Sequence, residues 1–387
     1  MATDISQIEE AQFPSPDRWL ALAFVLMISL PGLFGVVDDT TGRRRANGEH
    51  ASRRPPLVPG SEMGAWLRSW HDYLGESFGL RQELIETNAQ LKKAGGLGRA
   101  YRSPVTAGPD GWLFLKVRRG TQRIYPELPF QQSELDAWAV NVEAQERMVR
   151  DRGSQFLFVI VPDKQSIYPD RLPADLPAPL PVSRTDALVA RLRADGVAVL
   201  DLRQALREAR TASSRFGAWP LYHRTDTHWN ALGAWVGFGR IVSALGNRFP
   251  AVRPEANQRL EITTTEMLGG DLARMDGIQD STHESVVRVR LSSARCSFAG
   301  SPPPGARTPE APLIDAQDLE CQGAPIRRGL ILHDSMMPAL TPFLGQLFER
   351  STWRRTQQLD PALLGAVAPD VVIREMVERT LSEDVLL

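Results

Sequence analysis

The chain has 387 residues, 42% of them hydrophobic, with 45 basic and 46 acidic side chains and two cysteines. That much apolar material buries a substantial core, and length alone allows two or three domains. The near-neutral balance excludes the strong basic field of a nucleic-acid binder, and no basic stripe interleaved with aromatics runs through the sequence.

Residues 1–18 form a short polar tail containing Pro14 and Pro16. Residues 19–37, WLALAFVLMISLPGLFGVV, carry no charge, and as a helix they would span roughly 28 Å, about the thickness of a bilayer's hydrocarbon core. No small-residue cleavage site follows before Asp38 and Asp39, so the segment reads as an uncleaved transmembrane anchor rather than a removed signal peptide. Arg43, Arg44 and Arg45 lie just beyond it, and the positive-inside rule taken literally would leave the C-terminal part in the cytoplasm. A polar linker over 38–60 ends in RRPPLVPG. From 61 to 387 no composition break marks another boundary, and no internal repeat occurs.

Within this large domain, QFLFVIV at 155–161 reads as a buried strand. SRTDALVARLRADG then reads as a helix, with Ser183 as N-cap and Gly196 as C-cap. Residues 197–202 give a second strand, and Asn230 is placed to cap a helix carrying Ala231, Trp235, Phe238 and Ile241. Strands at 329–332 and 370–375 complete the series. Short apolar strands joined by helices predict an α/β domain with a mainly parallel sheet and helices on both faces. Cys296 and Cys321 bracket a Pro-rich loop; a disulfide in an oxidising compartment and two thiols in a reducing one both fit.

Chemistry enters at YHRTDTHWNALGAW, where Asp226 and His228 stand two apart, and at the end of GLIL, where His333, Asp334 and Ser335 follow the strand. A serine hydroxyl needs an imidazole to take its proton, and the imidazole needs a carboxylate to hold its tautomer. In an extended segment Asp226 and His228 would point the same way. Ser335 falls at a strand-to-helix turn, which exposes a hydroxyl and aims backbone N–H groups at a developing oxyanion. Taken singly, Ser335 also reads as a helix cap, His228 as a packed core residue and Asp226 as a turn cap. His223, Asp226, His228, His333 and Asp334 are all metal-compatible, but their spacing matches no standard zinc signature, so no metal is expected.

From about residue 66 to the C-terminus the chain resembles the alginate O-acetyltransferase family of the AlgJ and AlgX type, SGNH-hydrolase-like proteins that acetylate exopolysaccharides. The segments that carry the resemblance are DYLGESFGLRQELI at 72–85, GPDGWLFL at 108–115, VPDKQSIYPDRLP at 161–173, TDTHWNALGA at 225–234, GGDLARM at 269–275, LHDSMMPALTPFL at 332–344 and PDVVIREMVER at 369–379. The resemblance implies an SGNH-hydrolase-like three-layer α/β/α fold and a triad of Asp226, His228 and Ser335 as orienting acid, general base and nucleophile. It also implies a domain facing the periplasm from the inner membrane, an integral-membrane acyltransferase as acetyl donor, a polysaccharide acceptor and no cofactor. His333 stands where the family generally has glycine, a change that would narrow the site or alter donor access. Lys164, Tyr168, Arg274, His333 and Asp334 are candidate substrate contacts, Arg274 through its planar fork to a uronic-acid carboxylate. The expected function is a membrane-anchored polysaccharide O-acetyltransferase; the alternatives are a polysaccharide acetylesterase and a non-catalytic polysaccharide-binding or scaffold subunit of an export complex.

Overall fold

In a computed structural model, residues 103–115, 128–174, 180–211, 219–253, 260–291, 296–299 and 316–382 are described. The anchor expected at 19–37, the linker expected at 38–60 and the segment at 72–85 lie outside these residues. Among the described residues no helix is long and apolar enough to cross a membrane.

The chain enters through a small hairpin, β1 (Val105–Ala107) and β2 (Leu113–Leu115), and continues into α1 (Gln132–Arg150), β3 (Gln155–Val161) and the single-turn α2 (Lys164–Ile167). There follow α3 (Arg184–Ala194), β4 (Val199–Asp201), α4 (Arg203–Thr211) and α5 (Ala231–Gly246). A second hairpin, β5 (Leu260–Leu268) and β6 (His283–Leu291), carries α6 (Asp271–Met275) between its strands. The remainder is β7 (Cys296–Phe298), β8 (Ala316–Cys321), β9 (Ile326–Leu332), α7 (Thr341–Leu344), β10 (Phe348–Arg354), α8 (Pro361–Val367) and β11 (Val371–Val377).

Seven strands form one sheet in the order β4-β3-β11-β9-β10-β8-β7. The first five are mutually parallel. Strands β8 and β7 extend the sheet antiparallel, so it is mixed, with a parallel majority as predicted. The period of two along β3 explains the layering: Phe156, Phe158 and Ile160 enter one core with Trp138 and Val142 of α1 and Leu188 and Leu192 of α3. Leu157, Val159 and Val161 enter the other, with Leu206 of α4, Phe238 and Ile241 of α5 and Phe343 of α7. A strand buried on both faces has no polar side to show, which is why FLFVIV at 156–161 is continuously apolar.

The caps form where the sequence places them. Ser183 Oγ accepts from Asp186 N at the start of α3, and Asn230 Oδ1 accepts from Leu232 N and Gly233 N at the start of α5. A methyl group at Gly237 would come within 2.9 Å of the Trp229 ring, so glycine there lets α5 lie directly on the indole. Cys296 and Cys321 face each other in the β7–β8 register and form a disulfide, which decides between the two cysteine states.

Candidate active site

Asp226 and His228 do not sit in an extended segment. An antiparallel bridge between Tyr222 and Trp229 pinches residues 224–228 into a bulging series of bends. Asp226 Oδ1 accepts both the His228 backbone N–H (2.9 Å) and the His228 Nδ1 contact (2.6 Å). The two residues therefore meet through an Asx turn, in which a carboxylate caps the amide two residues on, rather than through strand alternation.

The bulge is held from outside by buried charge. Glu284 of β6, 4% exposed, takes the N–H groups of Arg224 and Thr225 and the Thr225 hydroxyl. Asp271, at the start of α6, takes the Thr227 N–H at 2.7 Å through Oδ1 and the Thr227 hydroxyl through Oδ2. From below, Lys164 Nζ donates to the carbonyls of His223, Arg224 and Asp226 at 3.1, 3.0 and 2.7 Å. Leu113 N of β2 donates to Arg224 O, so the GPDGWLFL segment also braces the bulge. The expected substrate contact by Lys164 gives way to a positioning role: it is 2% exposed, with its ammonium beside the rings of Trp112 and Phe114. Tyr168 is likewise inside, its ring 4.4 Å from Trp112 and its hydroxyl oxygen accepting from Leu221 N.

Gly270 makes the close approach of α6 possible. A Cβ there would stand 2.4 Å from Asp226 Cβ and 2.6 Å from its Oδ2. Without one, the Asp271 N–H reaches Asp226 Oδ2 at 2.9 Å. Arg274, half-buried, lies one turn further along α6.

Ser335 lies, as predicted, in the turn between β9 and α7 and is half-buried. The turn is again built by an Asx carboxylate: Asp334 Oδ1 accepts from Met336 N (2.8 Å), while Oδ2 accepts from Val377 N (2.7 Å) at the end of β11. Asp334 is thereby committed to the backbone. His333 is 2% exposed, in edge contact with Trp353, so it lines the protein interior rather than narrowing an entrance. The structure brings Asp226 and His228 together but does not close the third link: His228 Nε2 is buried without a hydrogen-bond partner. The Trp229 indole N–H, however, donates to Met336 O at 2.7 Å, tying the two segments side by side.

Charge tunes the pair. Burial presses the His228 imidazole toward its neutral form, but Asp226, through charge and hydrogen bond, and Asp271, through charge, more than offset it and hold the pKa above the ordinary histidine value. Burial would raise Asp226, yet His228, His223 and the Asp271 N–H hold it far below the usual carboxylate range. Burial and the charge of Asp226 raise Asp271. Burial lowers Lys164 to about 8 against the pull of Asp226, Asp271 and Glu284. Beneath Asp334, burial and the Asp334 charge push Glu375 well above the carboxylate range. Arg379, bonded to Asp163 at 2.5 Å, is the nearby cation that counters Asp334 and Asp271. Among the described residues, Asp226, His228 and Asp271 are the one group of metal-ligand type whose donor atoms lie within 4.8 Å of one another. Both carboxylates are already occupied by N–H donors.

A family model described as an SGNH hydrolase-like domain, acetyltransferase AlgX, matches residues 105–299, half of the chain. The chain belongs to this AlgX family. The matched region contains Asp226, His228, Asp271 and Glu284 and ends before Ser335. The chain is 34% identical over 133 residues to a probable alginate O-acetylase AlgJ of Pseudomonas aeruginosa, covering 34% of this chain and 31% of that one. It is 25% identical over 209 residues to the AlgJ of Pseudomonas fluorescens, covering 54% and 50%. The AlgX-family chain thus spans about a third to a half of the length of these curated relatives. A solved structure of Bacillus cereus PatB1 superposes with a TM-score of 0.52 at 16% identity, covering 72% of this chain and 97% of that one, and shares the fold.

Sequence reasoning singled out Lys164 but missed two other residues that hold the bulge, Asp271 and Glu284. Asp271 and Glu284 stand 44 and 59 residues beyond the groups they bind, and no local spacing signals such a contact. The one available signal was Gly269-Gly270 directly before an acidic residue opening a helix.

Proposed function

We propose that this chain is an O-acetyltransferase acting on hydroxyls of an exported polysaccharide, with Ser335 as nucleophile, His228 as general base and Asp226 as the carboxylate that orients it. The observation that carries this reading is the Asp226–His228 contact, with Nδ1 engaged and Nε2 left to accept a proton, on a loop bonded to the turn that holds Ser335.

The steps balance without a cofactor. Ser335 Oγ attacks the carbonyl carbon of a donor acetyl ester while its proton passes to His228 Nε2. The donor C–O bond then breaks, and the departing oxygen takes that proton. A sugar hydroxyl next gives its proton to Nε2 and attacks the acyl-serine, releasing acetylated sugar and Ser335 with its proton restored. The backbone N–H of Ser335 itself is a candidate for stabilising the oxyanion, since those of Asp334 and Met336 are held by carboxylates.

The disulfide between Cys296 and Cys321 fits an oxidising compartment and so favours a domain outside the cytoplasm. Residues 19–37 would tether it to the inner membrane, within reach of an integral-membrane acyltransferase as donor. Alginate-like polymers are the acceptor class that the names of the relatives suggest.

The test is incubation of the full chain with a chromogenic acetyl ester and then with an oligouronide, followed by mass spectrometry of protein and product. The expected result is an acetyl group on Ser335 that moves to the sugar and is absent in Ser335→Ala. Transfer to water alone would make the protein an esterase, and no adduct in either protein would leave a binding or scaffold role.

A further inference from the structure

We propose that Asp271 is a second carboxylate partner of the His228 imidazole, a positioning residue that shares with Asp226 the task of stabilising the imidazolium formed when His228 takes a proton. The catalytic half of this proposal rests on the acyl-serine reading above.

The geometry is that of a shared cradle. Asp271 Oδ2 lies 3.6 Å from His228 Nδ1, on the same side of the ring as Asp226 Oδ1 at 2.6 Å. The Thr227 hydroxyl stands between the two groups, donating to Asp271 Oδ2 and lying 3.3 Å from Nδ1. Asp271 also fixes its neighbour, since its backbone N–H donates to Asp226 Oδ2. One residue therefore orients the first carboxylate with its amide and supplies a second carboxylate with its side chain.

A loop staple needs no charge here. Thr227 N–H and Oγ–H would be satisfied by any neutral acceptor, and burying a second carboxylate beside Asp226 costs free energy through like-charge repulsion. Hydrogen bonds from Thr227 offset part of that cost, and a cation beside both carboxylates offsets more, which is the state of the site when His228 is protonated. The surrounding charges fit. His223 on the same loop, Lys164 of α2 and Arg379 after β11 are the other cationic or cation-forming groups nearby, and Glu284 of β6, 4.0 Å from His223 Nδ1, is a further acid. Lys164 is spent on backbone carbonyls and Arg379 on Asp163.

The experiment measures the His228 titration by NMR of the imidazole in the full-length protein, for wild type, Asp271→Asn and Asp226→Asn, beside the pH profile of acetyl-ester hydrolysis. The expected result is a His228 pKa lower by about 1 pH unit in Asp271→Asn, the size of shift that one nearby opposite charge produces. The acid limb of hydrolysis should move to lower pH by the same amount, with kcat reduced and KM unchanged. Asp271→Ser keeps a hydroxyl acceptor for Thr227 and serves as the second charge-removing variant should the amide disturb folding. A folded Asp271→Asn or Asp271→Ser protein with an unmoved His228 titration would overturn the proposal and leave Asp271 a staple for Thr227. Because the titration is read without turnover, an inactive Ser335 would sink the acyl-serine reading and leave this result standing.

Discussion

The indole N–H of Trp229 donates to the carbonyl oxygen of Met336, joining the residue after His228 to the residue after Ser335 across 107 positions of sequence. Trp229→Phe keeps most of the ring and removes the donor, leaving a buried carbonyl unpaired. The expected stability loss is about 1–3 kcal/mol. Hydrolysis of an acetyl ester should fall by roughly tenfold or more, since a misplacement of about 1 Å carries penalties of that order and above. Denaturant unfolding and kcat/KM measured on the same preparation separate the two effects, and unchanged turnover would show that the bond positions nothing.

Lys164→Met removes one ammonium and strands three carbonyls. At about 1–3 kcal/mol for each unsatisfied buried acceptor, partly offset by no longer burying a charge, the net loss should be about 2–4 kcal/mol. The urea midpoint reports it. A variant as stable as wild type would mean that water reaches those carbonyls.

Gly270→Ala places a methyl carbon at 2.4 Å from Asp226 Cβ. Overpacking of this kind costs about 1–3 kcal/mol, and relief requires Asp226 to move relative to His228. Activity should drop more than stability does, with the His228 titration shifting downward as its carboxylate partner withdraws. A normal titration in this variant would show that α6, and not Asp226, yields.

At Glu378, burial and the charge of Asp163 raise the carboxyl to about 7, against Arg203 and the Ser166 hydroxyl. A carboxyl raised in the folded state binds more protons there than when unfolded, so stability falls as pH rises from about 4.5 toward 7 and levels off above. The span corresponds to about 3 kcal/mol. Glu378→Gln removes that slope. Urea midpoints at pH 5 and pH 8 should differ less in the variant than in wild type, and parallel behaviour would place the buried proton elsewhere.

Much of this frame was legible in the chain. Continuous apolarity marks β3 from Phe156 to Val161, and Ser183 and Asn230 cap the helices they precede because their side chains satisfy local amides. The antiparallel extension was not legible: β8, AQDLEC, alternates charge with burial at the sheet margin and lacks the apolar run of the central strands. At the site, residue types and order pointed to Asp226, His228 and the turn of Ser335, but the conformation joining the first two was misread. Sequence spacing favours a strand there. Glu284, Asp271 and Lys164, from 44 to 62 residues away, impose the bulge instead.

That wiring has a consequence for how the protein is made. The amides and carbonyls of residues 223–227 find partners on β6, α6 and α2, and the segment is tied to the turn after β9 through Trp229. Each such link closes a long loop whose entropy must be lost before the contact rewards it. A nascent or partly folded chain can form the local Asp226–His228 turn but lacks the partners that fix its position. Any activity that rests on the pair would therefore return on refolding only once the contacts with β6, α6, α2 and the turn after β9 are in place.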